Sequence, residues 1–205
     1  MALQSIEHVR ALITHADAVD PVAGRVRTGH DTEMAQERPP ADDNVITPDQ
    51  GEFRKALGQF ATGVTIITAV SDGEPAGLAA NSFTSVSLDP PLVLFSVART
   101  SSTWPKIERA RKFAVNILGE HQEEVSRLFA TKDVDRFAQV DWHLGVRGSP
   151  VLHETLAYLD CEFWAEYDGG DHIIVVGRVL DLGITHDAGP LLFFRGQYGR
   201  LHVGG

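Results

Sequence analysis

All sixteen aromatic residues of this 205-residue chain lie at or after Phe53. Aromatic side chains carry much of the apolar area of a core, so the packed domain is expected in the later three quarters of the sequence. Ahead of it, Leu3, Ile6, Val9, Leu12 and Ile13 recur at three- and four-residue steps and predict a short amphipathic helix. Residues 21–44 then turn to Pro, Gly, Asp, Glu and Arg, with Arg38-Pro39-Pro40 among them, the composition of a linker or extended arm. The expected organisation is an N-terminal extension over residues 1–46 and one domain over residues 47–205. The extension reads either as a mobile tail or as an arm docked on a partner subunit.

Composition excludes several classes. At 43% apolar and 22% charged, the chain has the make-up of a soluble globular protein, and no apolar run approaches the 18 residues of a membrane helix. A net charge of −10 is unsuited to gripping a nucleic-acid backbone. The lone cysteine, Cys161, makes neither an internal disulfide nor a cysteine zinc site. No signal-peptide pattern opens the sequence, so a reducing cytoplasm is the expected location.

Within the domain, Thr47-Pro48-Asp49-Gln50 has the form of a capping box, followed by a helical stripe of Phe53, Leu57 and Phe60 and a stop at Gly63. Residues 64–70 (VTIITAV) predict a strand, and Asp72-Gly73 a tight turn into a second strand over 76–88. A third strand follows over 92–97. A short helix opening at Trp104-Pro105, a strand over 113–118 and a polar helix over 120–130 come next. Residues 156–167 and 172–184 flank Asp168-Gly169-Gly170-Asp171 as a long hairpin, and 191–198 closes the pattern. Six or seven strands arriving in runs, with about three short helices, predict an antiparallel, mainly β barrel capped by helices.

The chemistry motifs of many enzymes are missing. There is no G-x-G-x-x-G turn, no P-loop, no zinc-spaced pair of histidines and no nucleophile elbow. Two hydroxyl-rich segments remain. The first is Asn81-Ser82-Phe83-Thr84-Ser85-Val86-Ser87, whose amide and hydroxyls suit the heteroatoms of a planar ligand. They equally suit an edge strand whose Ser and Thr pair across a ladder. The second is Thr100-Ser101-Ser102-Thr103, ahead of a helix and inside a positive island of Arg99, Lys106, Arg109, Arg111 and Lys112. That grouping suits an anionic phosphate, or alternatively a helix cap followed by a solvated face.

The ordered series FRKALGQFATGVT (53–65), AANSFTSVSLDPPLVLF (79–95), Ser102-Thr103-Trp104, FAVNIL (113–118), Gly170-Asp171-His172 and PLLFFRGQY (190–198) closely resembles the short-chain flavin reductases. These are the reductase components of two-component flavin-dependent monooxygenases. The resemblance spans about residues 47–200. It implies an FMN-binding split β-barrel, Greek-key-like in its antiparallel connections and usually homodimeric. It implies transfer of hydride from NADH, or NADPH, to FMN or FAD, and supply of a separate monooxygenase by diffusible reduced flavin.

By the same resemblance Asn81, Ser82, Phe83, Thr84 and Ser85, with Ser87 as an extension, would contact the flavin ring and ribityl chain. Ser101, Ser102 and Thr103 would hold its phosphate, and His172 and Tyr198 would line the nicotinamide groove. Taken alone, His172 is a turn residue and Tyr198 a strand-end aromatic, while Asn116 and Phe137 read either as pocket neighbours or as core or cap residues. No residue is assigned as an acid or base, because hydride transfer is cofactor chemistry. Two other functions fit the sequence: a split-barrel flavoprotein that retains FMN without steady NADH turnover, and a partner-binding module acting through the N-terminal arm.

Overall fold

The computed structural model describes residues 47–202, so the predicted N-terminal helix and linker lie outside the described residues. Helix α1 (Gln50–Leu57) is capped by Asp49, whose Oδ1 accepts from the Gly51 and Glu52 amides at 2.8 and 3.2 Å. The Thr47–Gln50 capping box does not form, because a carboxylate two residues nearer takes the free amides. None of the helix is buried: Phe53 is 55% exposed and Leu57 57%, with Phe60 beyond the helix at 75%.

The strands are β1 (Thr62–Gly63), β2 (Thr65–Ser71), β3 (Glu74–Ala80), β4 (Thr84–Leu88), β5 (Pro91–Ala98), β6 (Lys112–Ile117), β7 (Trp142–Leu144), β8 (Pro150–Leu152), β9 (Ala157–Gly169), β10 (His172–Ile184), β11 (Leu191–Phe194) and β12 (Gln197–Arg200). Helices α2 (Trp104–Ala110) and α3 (Glu123–Ala130) lie between them. Seven strands form one antiparallel sheet in the order β3-β2-β6-β9-β10-β5-β4.

The strand expected over 76–88 is two strands. β3 pairs with β2 and β4 with β5, so consecutive strands occupy opposite edges of the sheet. The chain bends at Asn81, Ser82 and Phe83 to pass from one edge to the other. Ser82 fastens that crossing. Its Oγ accepts from the Ser96 amide at 2.9 Å and donates to the Ser96 carbonyl at 3.0 Å. The sheet curls into a barrel that stays open along this seam, since its edge strands β3 and β4 share no ladder.

The β9–β10 hairpin follows the prediction, with Gly170 at φ 81° in its turn. Gly177 is required by packing: a Cβ there would sit 2.4 Å from Cζ of Phe113. That ring meets Phe95 edge to face at 5.3 Å, and Phe95 meets Trp104 at 6.0 Å, centring the larger core. Asn116 is a core residue. It donates to the Ile66 carbonyl and Thr68 Oγ1 and accepts from the Leu152 amide at 2.8 Å. Phe137 packs edge to face on Phe129 and Trp142 in the smaller core. Residues 191–198 turn at Arg195 and Gly196, both with positive φ, so the last expected strand is the β11–β12 hairpin. The helix expected from residue 120 begins three residues later, at Glu123.

Candidate functional site

The barrel's open seam carries a cavity of about 350 Å³, whose lining includes the small side chains of Ala79, Ala80, Ser96 and Ala98. Such small side chains leave room of the kind a planar ring needs. Asn81, Ser82, Ser101 and His172 stand around it. Asn81 is exposed, and no protein group among the described residues bonds its amide. The Ser82 hydroxyl, by contrast, is already bonded twice to Ser96.

His172 is brought here by pairing with Ala98 across β10 and β5. Its Nδ1 lies 2.7 Å from Oδ1 of Asp171, which leaves Nε2 as the free ring nitrogen. The hydrogen bond to His172, together with its charge, holds the Asp171 carboxyl below the ordinary carboxylate range. Arg99 clamps this hairpin tip. Its amide donates to the Asp171 carbonyl at 3.0 Å, Nε to the Gly170 carbonyl at 2.9 Å and Nη2 to Asp168 at 2.9 Å.

Ser101 also accepts from the Trp104 amide at 3.2 Å, fixing the turn into α2. Ser102 and Thr103 do not line the first cavity; they line a second, of about 470 Å³, together with Lys106 and Arg136. The expected phosphate residues therefore straddle two cavities, with Ser101 on one side and Ser102 and Thr103 on the other. Of the positive island, Lys106 alone borders either of these cavities. Arg109 pairs with Asp72 at 2.6 Å, Arg111 lies 3.5 Å over the Phe163 ring, and Lys112 donates to the Arg147 carbonyl. Arg136, which the sequence reading missed, belongs to the loop after α3, and no local pattern marks a residue 33 positions from Thr103 as its neighbour.

Tyr198 borders a third, smaller cavity of about 150 Å³ together with Asn81 and Ser126. Its hydroxyl meets Ser126 Oγ at 2.8 Å and its ring lies 4.8 Å from the Arg127 guanidinium carbon. His172 and Tyr198, expected in one groove, thus border different cavities, which share Ala79, Ala80 and Asn81. Thr84, Ser85 and Ser87 belong to edge strand β4 and line none of the three. Phe83 is half-buried against the larger core. Cys161 is fully buried, and its thiol is pushed up to about 12 by burial. Among the described residues no group of three or more His, Cys, Asp or Glu side chains could hold a metal, and no helix is long and apolar enough to cross a membrane.

An antiparallel barrel split along one seam, with a cavity lined by small side chains and a hydroxyl-bearing turn beside it, has the architecture of a split-barrel flavoprotein. The flavin reductase like domain family matches residues 57–202. The reductase subunit of a flavin-dependent monooxygenase from Rhodococcus jostii is 49% identical over 150 residues, 73% of this chain and 77% of that protein. An FMN reductase (NADH) from Agrobacterium fabrum is 45% identical over 72% of this chain and 84% of its own length. Among solved structures, the NADH:FAD oxidoreductase of Streptomyces globisporus, in complex with NAD and FAD fragments, superposes with a TM-score of 0.72. It is 40% identical, over 75% of this chain and 93% of that one. The chain belongs to the flavin reductase-like family and has its split-barrel fold.

Proposed function

We propose that this flavin reductase oxidises NADH, reduces FMN or FAD, and releases the reduced flavin to a separate monooxygenase. The observation that carries the reading is the seam cavity with Ser101 on its wall, followed directly along the chain by Ser102 and Thr103 on the wall of a second cavity. The residues fit a flavin: small side chains line the cavity, Asn81 offers an unspent amide, and hydroxyls and two cations stand where a phosphate would lie. When bound, the flavin supplies the hydride acceptor.

The chain's own work is binding and orientation. Asn81 and the Ser82 and Phe83 backbone address the edge of the ring, while Thr84, Ser85 and Ser87 present the outer edge of β4, which pairs on one side alone. Ser102 and Thr103 hold the phosphate, with Lys106 and Arg136 balancing its charge. His172, fixed by Asp171, turns Nε2 toward the nicotinamide, and Tyr198 bounds the same substrate from the other side of Asn81. No side chain has to move a proton for hydride to pass, which accords with the missing acid–base motifs.

Three further assignments belong to this reading. The exposed apolar side chains of Phe53, Leu57 and Phe60 are covered by a second copy of the chain, making a homodimer. Residues 1–46 are an extension outside the catalytic domain. The enzyme works in the cytoplasm, where its single thiol stays reduced. The test is to mix the full chain with NADH and FMN or FAD and follow nicotinamide absorbance. Oxidation that depends on added flavin is expected. Stoichiometric retained flavin without NADH oxidation would favour a static flavoprotein instead. Sedimentation of the wild type and of Phe53→Asp tests the dimer: a dimer that dissociates in the variant is expected.

A further inference from the structure

The orientation of His172 has to be supplied from outside the residue. Asp171, which holds its Nδ1, has a side chain 93% exposed, and the imidazole itself is only half-buried. An ion pair so open to water is worth little and does not by itself fix a geometry. The backbone leading into both residues is the Gly169-Gly170 tip, and glycine gives a chain its greatest freedom. Gly170 stands at φ 81°, with open space where a side chain would be. Packing does not hold this turn.

One side chain does. Arg99, the residue after β5, donates from Nε to the Gly170 carbonyl at 2.9 Å and from Nη2 to Asp168 Oδ1 at 2.9 Å. The same carboxylate oxygen accepts from the Gly170 amide at 2.9 Å. Guanidinium and carboxylate together therefore grip Gly170 through both its carbonyl and its amide. That carbonyl belongs to the peptide leading into Asp171, so holding it sets the direction in which the Asp171 carboxylate leaves the chain.

The hairpin itself does not need this side chain. His172 pairs with Gly169 across β9 and with Ala98 across β5, and the Arg99 backbone amide bonds the Asp171 carbonyl whatever the side chain is. What the guanidinium adds is orientation, through a planar fork that an ammonium does not reproduce.

Building on the flavin reductase reading, we propose that Arg99 is a positioning residue for the nicotinamide: it orients the hairpin tip so that Asp171 turns Nε2 of His172 toward the coenzyme. The guanidinium touches neither substrate. A cation two residues before Ser101 could instead bond a phosphate directly, and the experiment separates the two roles.

Arg99→Lys keeps the charge and loses the fork. Its kcat/KM for NADH is expected to fall by about fivefold, the loss set by the one hydrogen bond of His172. The flavin dissociation constant and the thermal midpoint are expected to stay where they are. In a His172→Ala background the same substitution is expected to add nothing, because a residue acting through the imidazole has no effect once the imidazole is gone. Asp168→Ala, which removes the other half of the grip and leaves Arg99 in place, is expected to reproduce the loss. A readout without coenzyme is the NMR titration of Asp171, whose carboxyl is held below the ordinary range chiefly by its bond to His172. In Arg99→Lys it is expected to move up toward that range, although the nearby charge is conserved. An unchanged kcat/KM or an unmoved Asp171 titration would overturn the proposal. So would a loss that multiplies with that of His172→Ala, which a direct bond to the coenzyme would give. Weaker flavin binding in Arg99→Ala would make the guanidinium a phosphate ligand, and a thermal midpoint that falls in step with activity would make it a strut; either result overturns the proposal. If the wild type shows no flavin-dependent NADH oxidation, the reductase reading itself fails and the proposal falls with it.

Discussion

The two hydroxyl-rich segments look alike in sequence and do different work in the fold. In the segment from Asn81 to Ser87, the central hydroxyl of Ser82 is bonded twice to Ser96 and holds the barrel's seam. In the segment from Thr100 to Thr103, Ser102 and Thr103 line a cavity, and the Thr103 hydroxyl accepts from Arg136 at the long distance of 3.5 Å. A hydroxyl already bonded to backbone supports structure, and one left unspent beside a cation is available to a ligand. Composition marks both segments equally; the strand order tells them apart.

The largest effect expected from this contrast is on flavin binding at the second segment. Replacing Ser102 and Thr103 together by Ala removes hydrogen bonds to an anion, each worth about 1.5–3 kcal/mol. Flavin affinity should fall by roughly tenfold or more for each bond, while the thermal midpoint hardly moves. A flavin dissociation constant that stays where it was would reduce the turn to a helix cap.

The first segment should answer in the opposite currency. Ser82→Ala strands the Ser96 amide and carbonyl in a half-buried seam, and an unsatisfied group of this kind costs about 1–3 kcal/mol. For a domain of this size that lowers the thermal midpoint by several degrees. Loss of flavin binding at an unaltered midpoint would show that Ser82 is a ligand residue and that the contrast is misdrawn. Asn81→Ala, one residue earlier and with no side-chain partner among the described residues, should weaken flavin binding and spare stability.

Much of this was legible in advance. The alternating and β-branched runs located the sheet, and the Asp-Gly-Gly-Asp turn located the long hairpin, because local periodicity and turn chemistry determine both. The bend at Asn81 was not legible. Residues 76–88 keep an alternating pattern throughout, and nothing local says that the chain changes edges there. The exposure of Phe53 and Leu57 was hidden for a similar reason, since a helical stripe reads the same whether its own domain or another chain covers it. Arg136 was missed because its partners, Gly77 and Thr103, are distant in sequence and its loop has no periodicity. His172 was found through a three-residue motif, but its separation from Tyr198 by the Asn81 wall is a property of the folded barrel.

The smallest expected effect falls where the two segments meet. His172 pairs with Ala98, just before the second segment, and faces the cavity that the first segment closes. Its role in orienting the nicotinamide rests on one free nitrogen, Nε2, and on Asp171 holding the other. His172→Ala should therefore raise the KM for NADH, or lower turnover, by about fivefold, the equivalent of one hydrogen bond of ~1 kcal/mol. Flavin affinity should be unchanged within error, and so should the thermal midpoint, because Arg99 clamps the hairpin through Asp168, Gly170 and Asp171 without using the imidazole. The pH dependence has a definite sign. The folded Asp171 carboxyl titrates below its ordinary value, so its contribution is complete above that value and fades as the pH falls through the depressed one. The Asp171 link should accordingly persist through neutral and mildly acid solution, and Asp171→Asn should bring on the weakening of NADH binding without acid. A His172→Ala variant that loses stability in step with activity would make the imidazole a strut of the hairpin. One that loses flavin affinity alone would exchange the positions of the two substrates on either side of Asn81.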